Sequence, residues 1–440
     1  MKGLESILNP FKVYELRKRI LFTLGLLAVY RLGVAVPTPG VDGVALSAFF
    51  QQAKGTIVGL LDLFSGGAFE RFSIFTLGIM PYISASIIMS LLQPVVPYLE
   101  RIAKEGDVGK KKITQYTRYL TLVIGIIQAT GTSIWIQSMQ TDDGRSFVLN
   151  PGLGFHLMTV ATLTTGTAFV MWLGEQMTDR GIGNGSSLII MTSIISRLPQ
   201  AILQSLQRLF VGEMNIFVIL FIVIIGVLTT AGVVMMIQGH RKISVQYAKR
   251  IVGRKVYGGQ STHLPLQVNM AGVIPIIFAS SLLALPATFV TFLGGKDIDF
   301  LTFLYKQLSP GGVIYQILMA AGIIFFTYFY IAVIFNPVDV ADNMRKNGGF
   351  IPGIRPGKST AEYIERILKR ITFVGAMFLA LIDFFPSMII QVMHLPFYFG
   401  GTSILIVVGV ALDLVRQIES HLLMRHYEGF VKKGKIKGRF

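Results

Sequence analysis

The chain has 440 residues, 52% of them hydrophobic and only 14% charged, with a formal net charge of +17. A soluble domain usually carries about 25% charged residues, so there is too little polar surface here to coat a water-soluble globule, and a membrane protein is expected. Cysteine is absent, which excludes a disulfide framework, thiolate metal sites and thiol catalysis.

In chain order, Lys12 to Arg19 lead into a first apolar run that has no small-residue cleavage site and continues into a Pro-rich loop. No removable signal segment is expected there. Crossing a hydrocarbon core takes roughly 20 helical residues. Ten segments qualify: 20–37, 72–94, 116–138, 154–173, 186–202, 214–237, 270–292, 312–335, 371–391 and 402–422. The apolar stretch from Thr56 to Phe64 is too short to cross alone, and the long polar connections are 98–115, 238–268 and 336–370. Helices are the expected form, because lipid offers the backbone no hydrogen-bond partner.

Basic residues orient the spans. With the N-terminus in the cytoplasm, 32 of the 40 Lys and Arg fall in cytoplasmic segments and 7 on the opposite side, with Arg31 inside the first span. Both termini are therefore expected in the cytoplasm. The net charge is mostly topology, not a sign of nucleic-acid binding.

Two motifs recur five spans apart. Gly78-Ile79-Met80-Pro81-Tyr82-Ile83-Ser84-Ala85-Ser86 in span 2 matches Gly272-Val273-Ile274-Pro275-Ile276-Ile277-Phe278-Ala279-Ser280 in span 7. Gly185-Ser186-Ser187-Leu188-Ile189-Ile190 opens span 5 as Gly401-Thr402-Ser403-Ile404-Leu405-Ile406 opens span 10. An odd offset makes the members of each pair antiparallel, the pattern of an inverted repeat of two five-helix halves. Small residues are common in membrane helices for packing reasons alone, but two matches at one offset favour the repeat. The halves divide as 1–203 and 204–440. Such halves place their functional pathway at their interface near mid-membrane. The motifs bring Ile83, Ile87, Ile190, Ile194, Ile274, Ile277 and Ile406 to mid-span. If they converge they form a collar that gates by dewetting; otherwise they face lipid or fill a core.

An ion-coupled secondary transporter is the alternative. It needs titratable groups facing a cavity, and this chain offers few. Arg31 can snorkel toward the outer interface. Asp413 sits three residues before Arg416, a local pair. Asp383 in span 9 is expected to be protonated or hydrogen-bonded to a neighbouring helix. The six histidines (His156, His240, His263, His394, His421, His426) show no HExxH spacing. There is no GxxxxGK phosphate loop, nucleophile elbow or kinase signature. No metal, cofactor or catalysis is expected, and any driving energy must come from outside the chain.

Pro37-Thr38-Pro39-Gly40, Leu63-Phe64-Ser65-Gly66-Gly67, Gly78-Ile79-Met80-Pro81-Tyr82-Ile83, Gly181-Ile182-Gly183-Asn184-Gly185, Ala271-Gly272-Val273-Ile274-Pro275 and Phe350-Ile351-Pro352-Gly353-Ile354-Arg355-Pro356-Gly357 together resemble the SecY proteins of bacteria, over nearly the whole chain. The resemblance implies an all-α polytopic fold, ten transmembrane helices in two inverted halves around a central hourglass pore. It implies a protein-conducting channel that passes unfolded secretory chains and releases membrane segments sideways into the cytoplasmic (inner) membrane. The seven isoleucines match the family's pore ring. Ile57, Val58, Leu60, Leu61, Leu63, Phe64, Ser65, Gly66 and Gly67 match its plug, a half-helix sealing the outer funnel. Ser86, Gln93, Gln128 and Asn269 match the polar cluster of its lateral gate, between spans 2–3 and 7–8, with Gln93 where many relatives carry Thr. The implied partners are the small subunits SecE and SecG, the SecA motor ATPase, the ribosome, signal-sequence-bearing polypeptides and membrane lipids.

The loop 237–268 carries Arg241, Lys242, Lys249, Arg250, Arg254 and Lys255 and no acid. The positive-inside excess explains part of this, and suffices for the tail Lys432–Arg439. A connection of this length also suits docking on ribosomal RNA phosphates. The resemblance assigns this loop and loop 336–370 to ribosome or motor docking, with Arg355 the foremost contact.

Overall fold

The computed structural model describes residues 13–52, 62, 65–139, 146–212, 215–247, 250–252, 255–257, 261–292, 307, 312–392 and 400–433. In the first half the helices are α1 (Tyr14–Val34), α2 (Gly43–Gln52), α3 (Met80–Leu92), α4 (Pro97–Lys104), α5 (Asp107–Ser138), α6 (Leu153–Arg180) and α7 (Gly185–Phe210). In the second half they are α8 (Ile216–Gln238), α9 (Ile274–Phe292), α10 (Val313–Ile334), α11 (Pro337–Lys346), α12 (Lys358–Val392) and α13 (Gly401–Lys433). Among the described residues, seven helices are long and apolar enough to cross a membrane alone, and the bent pair α3–α4 makes an eighth. With α1 and α9, which fall on the first and seventh expected spans, the count is ten. This is a multi-span membrane protein.

The second span differs from its expected form. Only Met80–Leu92 of 72–94 is helical, and the chain from Gly66 to Ile79 runs as successive turns. Packing explains this. A Cβ on Gly166 of α6 would lie 1.8 Å from the Ile74 carbonyl oxygen, so α6 presses directly on this backbone. The same segment is tied to the loop after α1 by Thr38 N–H to Phe72 O (2.8 Å) and Ile74 N–H to Val36 O (3.0 Å). Pro81 then starts α3, as a proline in the first turn can. Pro94 follows its end, and the chain turns 97° into α4, since proline cannot continue a helical ladder.

The repeat is visible residue by residue. Gly78 and Gly272 both have positive φ, 55° and 62°, and a helix begins two residues after each, at Met80 and at Ile274. Gly185 and Gly401 are each the first residue of their helix. A Cβ on Gly185 would lie 1.9 Å from Gly174 O of α6; on Gly401 it would lie 2.1 Å from Ile382 O of α12. Both helices thus start against the bare backbone of the helix before them. Across the bundle, α3 packs on α9 and α7 on α13. Repeat-equivalent helices meet each other, as an in-plane pseudo-two-fold axis requires.

The connections at one end of the bundle hold strands where polar loops were expected. β1 (His240–Tyr247) pairs antiparallel with β4 (Ser261–Gln267), and β2 (Arg250–Val252) with β3 (Lys255–Tyr257). β1 also pairs with β5 (Gly349–Phe350), Gln246 opposite Phe350 and Tyr247 opposite Gly349. This β-ribbon rests on its own small core of Ile243, Val245, Leu266, Met344, Ile351 and Ile364.

Candidate functional site at the waist of the bundle

Six of the seven isoleucines are buried in one apolar cluster: Ile83 and Ile87 from α3, Ile190 and Ile194 from α7, Ile277 from α9 and Ile406 from α13. Ile194 and Ile406 are wholly enclosed, and Ile277, the most open of the six, is 6% exposed. Ile274 is partly buried against the same cluster. These side chains do not scatter over the lipid face. They come from both halves and from the four helices that meet across the pseudo-two-fold axis.

Asp383 of α12 lies beside the start of α13 and is buried. Its Oδ1 accepts the Thr402 hydroxyl, and a helix start favours negative charge. In the first half the equivalent position, Ser186, gives both its N–H (3.1 Å) and its hydroxyl (2.6 Å) to Asn184 Oδ1, immediately before α7. The carboxyl thus does for α13 what a local asparagine does for α7. It is bonded to a neighbouring helix and occupies a cap.

Of the four expected gate residues, Ser86 lies on α3, Gln93 just after it, Gln128 on α5 and Asn269 shortly before α9, and α9 packs on both α3 and α5. Asn269 is buried, and its Nδ2 donates to Gly272 O (3.0 Å) in its own turn, while its Oδ1 has no partner among the described residues. Ser86, Gln93 and Gln128 are half-buried. Among the described residues no hydrogen bond joins the four side chains to one another.

Of the plug residues, Ile57, Val58, Leu60, Leu61, Leu63 and Phe64 lie outside the described residues. Ser65, Gly66 and Gly67 are buried where α1 and α7 approach. The Tyr30 hydroxyl donates to Ser65 O (3.1 Å) and lies 2.8 Å from Ser193 Oγ. Arg31 is half-buried, and its Nη1 donates to Gly66 O (2.9 Å). Gly66 (φ 66°) could not carry a Cβ, which would lie 2.9 Å from Ser193 Cα. Asp62 pairs with Arg197 Nη2, and Glu70 Oε2 accepts from Arg197 Nη1 at 2.7 Å. Sequence reading passed over this network, taking Arg197 for a loop cation. The signal was present: an arginine inside span 186–202 and an acid inside an apolar run both ask for a partner.

At the ribbon, Arg241, Lys242 and Arg355 are exposed. Lys249 and Arg254 lie outside the described residues; Arg250 and Lys255 stand on β2 and β3. Arg355 sits between Gly353 (φ 81°) and Gly357 (φ 104°), and its carbonyl accepts the Thr360 hydroxyl at 2.9 Å. Through β5 its loop is joined to β1, so the two basic loops form one surface.

The architecture is that of a polytopic membrane channel, with two inverted halves closing on an apolar waist. The family model for SecY matches residues 73–415. Protein translocase subunit SecY of Escherichia coli K12 is 48% identical over 425 residues, covering 96% of each chain. Its counterpart in Aquifex aeolicus is 44% identical over 424 residues, covering 96% of this chain and 98% of that one. The chain belongs to the SecY family. Among solved structures, one of a protein conducting channel superposes with a TM-score of 0.66 at 17% identity, covering 96% of this chain and 94% of the other. Sec61 in a canine ribosome-channel complex superposes with a TM-score of 0.60 at 16% identity, with the same coverage.

Proposed function

We propose that this protein is the channel through which unfolded secretory chains cross the bacterial cytoplasmic membrane. The observation that carries the reading is the buried isoleucine cluster drawn from α3, α7, α9 and α13. A chain threaded between the halves passes through branched apolar side chains that offer an ion no substitute for its hydration shell. The halves divide in the loop after α7, a little beyond the expected 203/204, because α7 runs on to Phe210. Segments 57–67 form the plug, and the seam of α3 and α5 against α9 and α10 is the lateral gate. An apolar segment leaves there by partitioning into lipid, at roughly 0.8 kcal/mol per buried CH₂.

Both termini and the β-ribbon lie in the cytoplasm, by the excess of basic residues on that side. The ribbon with Arg355 docks the ribosome or the SecA motor; the Sec61 relative in the canine complex is bound to a ribosome. SecE and SecG flank the bundle, where α8 exposes an almost wholly apolar surface. The chain performs no covalent chemistry; its partners supply the work. The transporter reading loses its one candidate carboxyl, since Asp383 is engaged as a cap.

The test is cross-linking of an arrested secretory chain to cysteines placed singly at Ile83, Ile194, Ile277 and Ile406. With no native cysteine, each adduct reports one position. Adducts at all four, absent at the lipid-facing Leu228 of α8, are expected. Labelling at Leu228 equal to that at the waist would reject the conduit.

A further inference from the structure

Helix α12 reaches from the β-ribbon towards the waist, and it meets the elements at both ends through bare backbone. Its first part supplies Ile364 to the ribbon's small core, where that side chain is wholly buried. Further along, Gly375 stands against the base of the ribbon. A Cβ there would lie 2.7 Å from the carbonyl oxygen of Val268, the residue that closes the hairpin by donating its N–H to Gly239 O (2.9 Å). Two turns on, along the same side of the helix, Ile382 presents its carbonyl to Gly401, the first residue of α13. Pro386 leaves that carbonyl without its helical N–H, so α13 starts directly on an oxygen that the rod itself does not use. Asp383 binds the Thr402 hydroxyl beside it, and Ile406 of the waist follows one turn after Thr402.

We propose that α12 is a push-rod that carries a displacement of the β-ribbon, caused by a docked partner, to the start of α13 and so to Ile406. The inference rests on the docking and waist readings given above. Side-chain contacts absorb a small shift by changing rotamer, whereas backbone seated on backbone has no such give, and packed interiors compress little and so transmit strain. Between its contacts the rod is unbroken helix. From Ile364 to Ile382 it spans about 27 Å at 1.5 Å per residue and contains no proline.

The probe is the thiol of Ile406→Cys, read on this chain, which has no other cysteine. In the purified channel complex in vesicles, its labelling by a water-soluble maleimide is timed with and without a docked partner, ribosomes in one set and the SecA motor in another. Docking should change the rate at least about fivefold, the lower end of ordinary coupling between sites. Softening the rod with Ala376→Gly and Ala380→Gly, two buried alanines between its contacts, should leave partner co-sedimentation unaltered and abolish that change. The matching pair on α10, Ala320→Gly and Ala321→Gly, should keep it. Gly375→Ala, whose methyl meets the Val268 carbonyl, should by itself move the undocked rate towards the docked one. A response that survives in A376G/A380G, a response lost equally in A320G/A321G, no response to either partner in the otherwise unaltered protein, or an unmoved rate in G375A would each overturn the rod. The adduct of an arrested secretory chain at the same cysteine scores the channel reading by itself, since it needs no change on docking.

Discussion

Gly185 and Gly401 show how one missing side chain sets the position of a whole helix. Each lets its helix begin on the carbonyl of the preceding one, and a Cβ there would overlap backbone oxygen at 1.9 and 2.1 Å. Gly185→Val should lower stability by about 1–3 kcal/mol or more, the range for forced overpacking, read as thermal unfolding in detergent. At the waist, Ile194→Ala should remove about 2–5 kcal/mol of packing, and the matching Ile194→Ser should raise idle conductance. A tight bilayer with Ile194→Ser would place the constriction elsewhere. Single residues were unevenly legible. The isoleucines were marked by motif and repeat, so their positions were readable. Arg197 and Asp62 carried the mark of charges in need of a partner but not the partner's identity, because the two lie 135 positions apart in the chain and only folding brings them together.

Elements were legible where hydrophobic length alone decides them and obscure where tertiary contact does. The apolar run 72–94 reads as one helix, yet its first third is bent into turns by α6 pressing at Gly166. The connection 238–268 has no long apolar run, and its strands form by pairing with each other and with the distant Gly349–Phe350. Alternation is short, Ile243 and Val245 of β1 and Leu264 and Leu266 of β4 facing the same small core. β5 joins both loops in one sheet just before the turn that carries Arg355. Arg355→Glu should impair export at normal protein level; unchanged secretion would remove this loop from the mechanism. If Arg355 meets an RNA phosphate, Arg355→Ala should also reduce the salt slope of ribosome binding by about 0.7–0.9.

At the scale of the molecule, the repeat was the most informative feature of the sequence, because it located the interface before any helix was placed. What it could not give was how the halves are fastened. One tie is Gly183 N–H to Gln417 Oε1 (2.8 Å), from the loop before α7 to α13. Within the second half, Arg416 of α13 donates to the Ile237 carbonyl at the end of α8 (2.7 Å). Gln417→Ala should weaken the closed arrangement by about 1 kcal/mol, seen as faster amide exchange at Gly183; identical protection would show the tie to be incidental.

The borrowed cap of α13 carries a consequence for biogenesis. Asn184 and α7 are contiguous, so the fifth crossing can be primed as soon as its own residues leave the ribosome. The tenth depends on Asp383, 19 positions earlier on another crossing, so it is capped only once α12 and α13 have come together. A nascent chain halted after α12 would leave Asp383 bare among apolar neighbours, so maturation of this molecule is completed from its last helix.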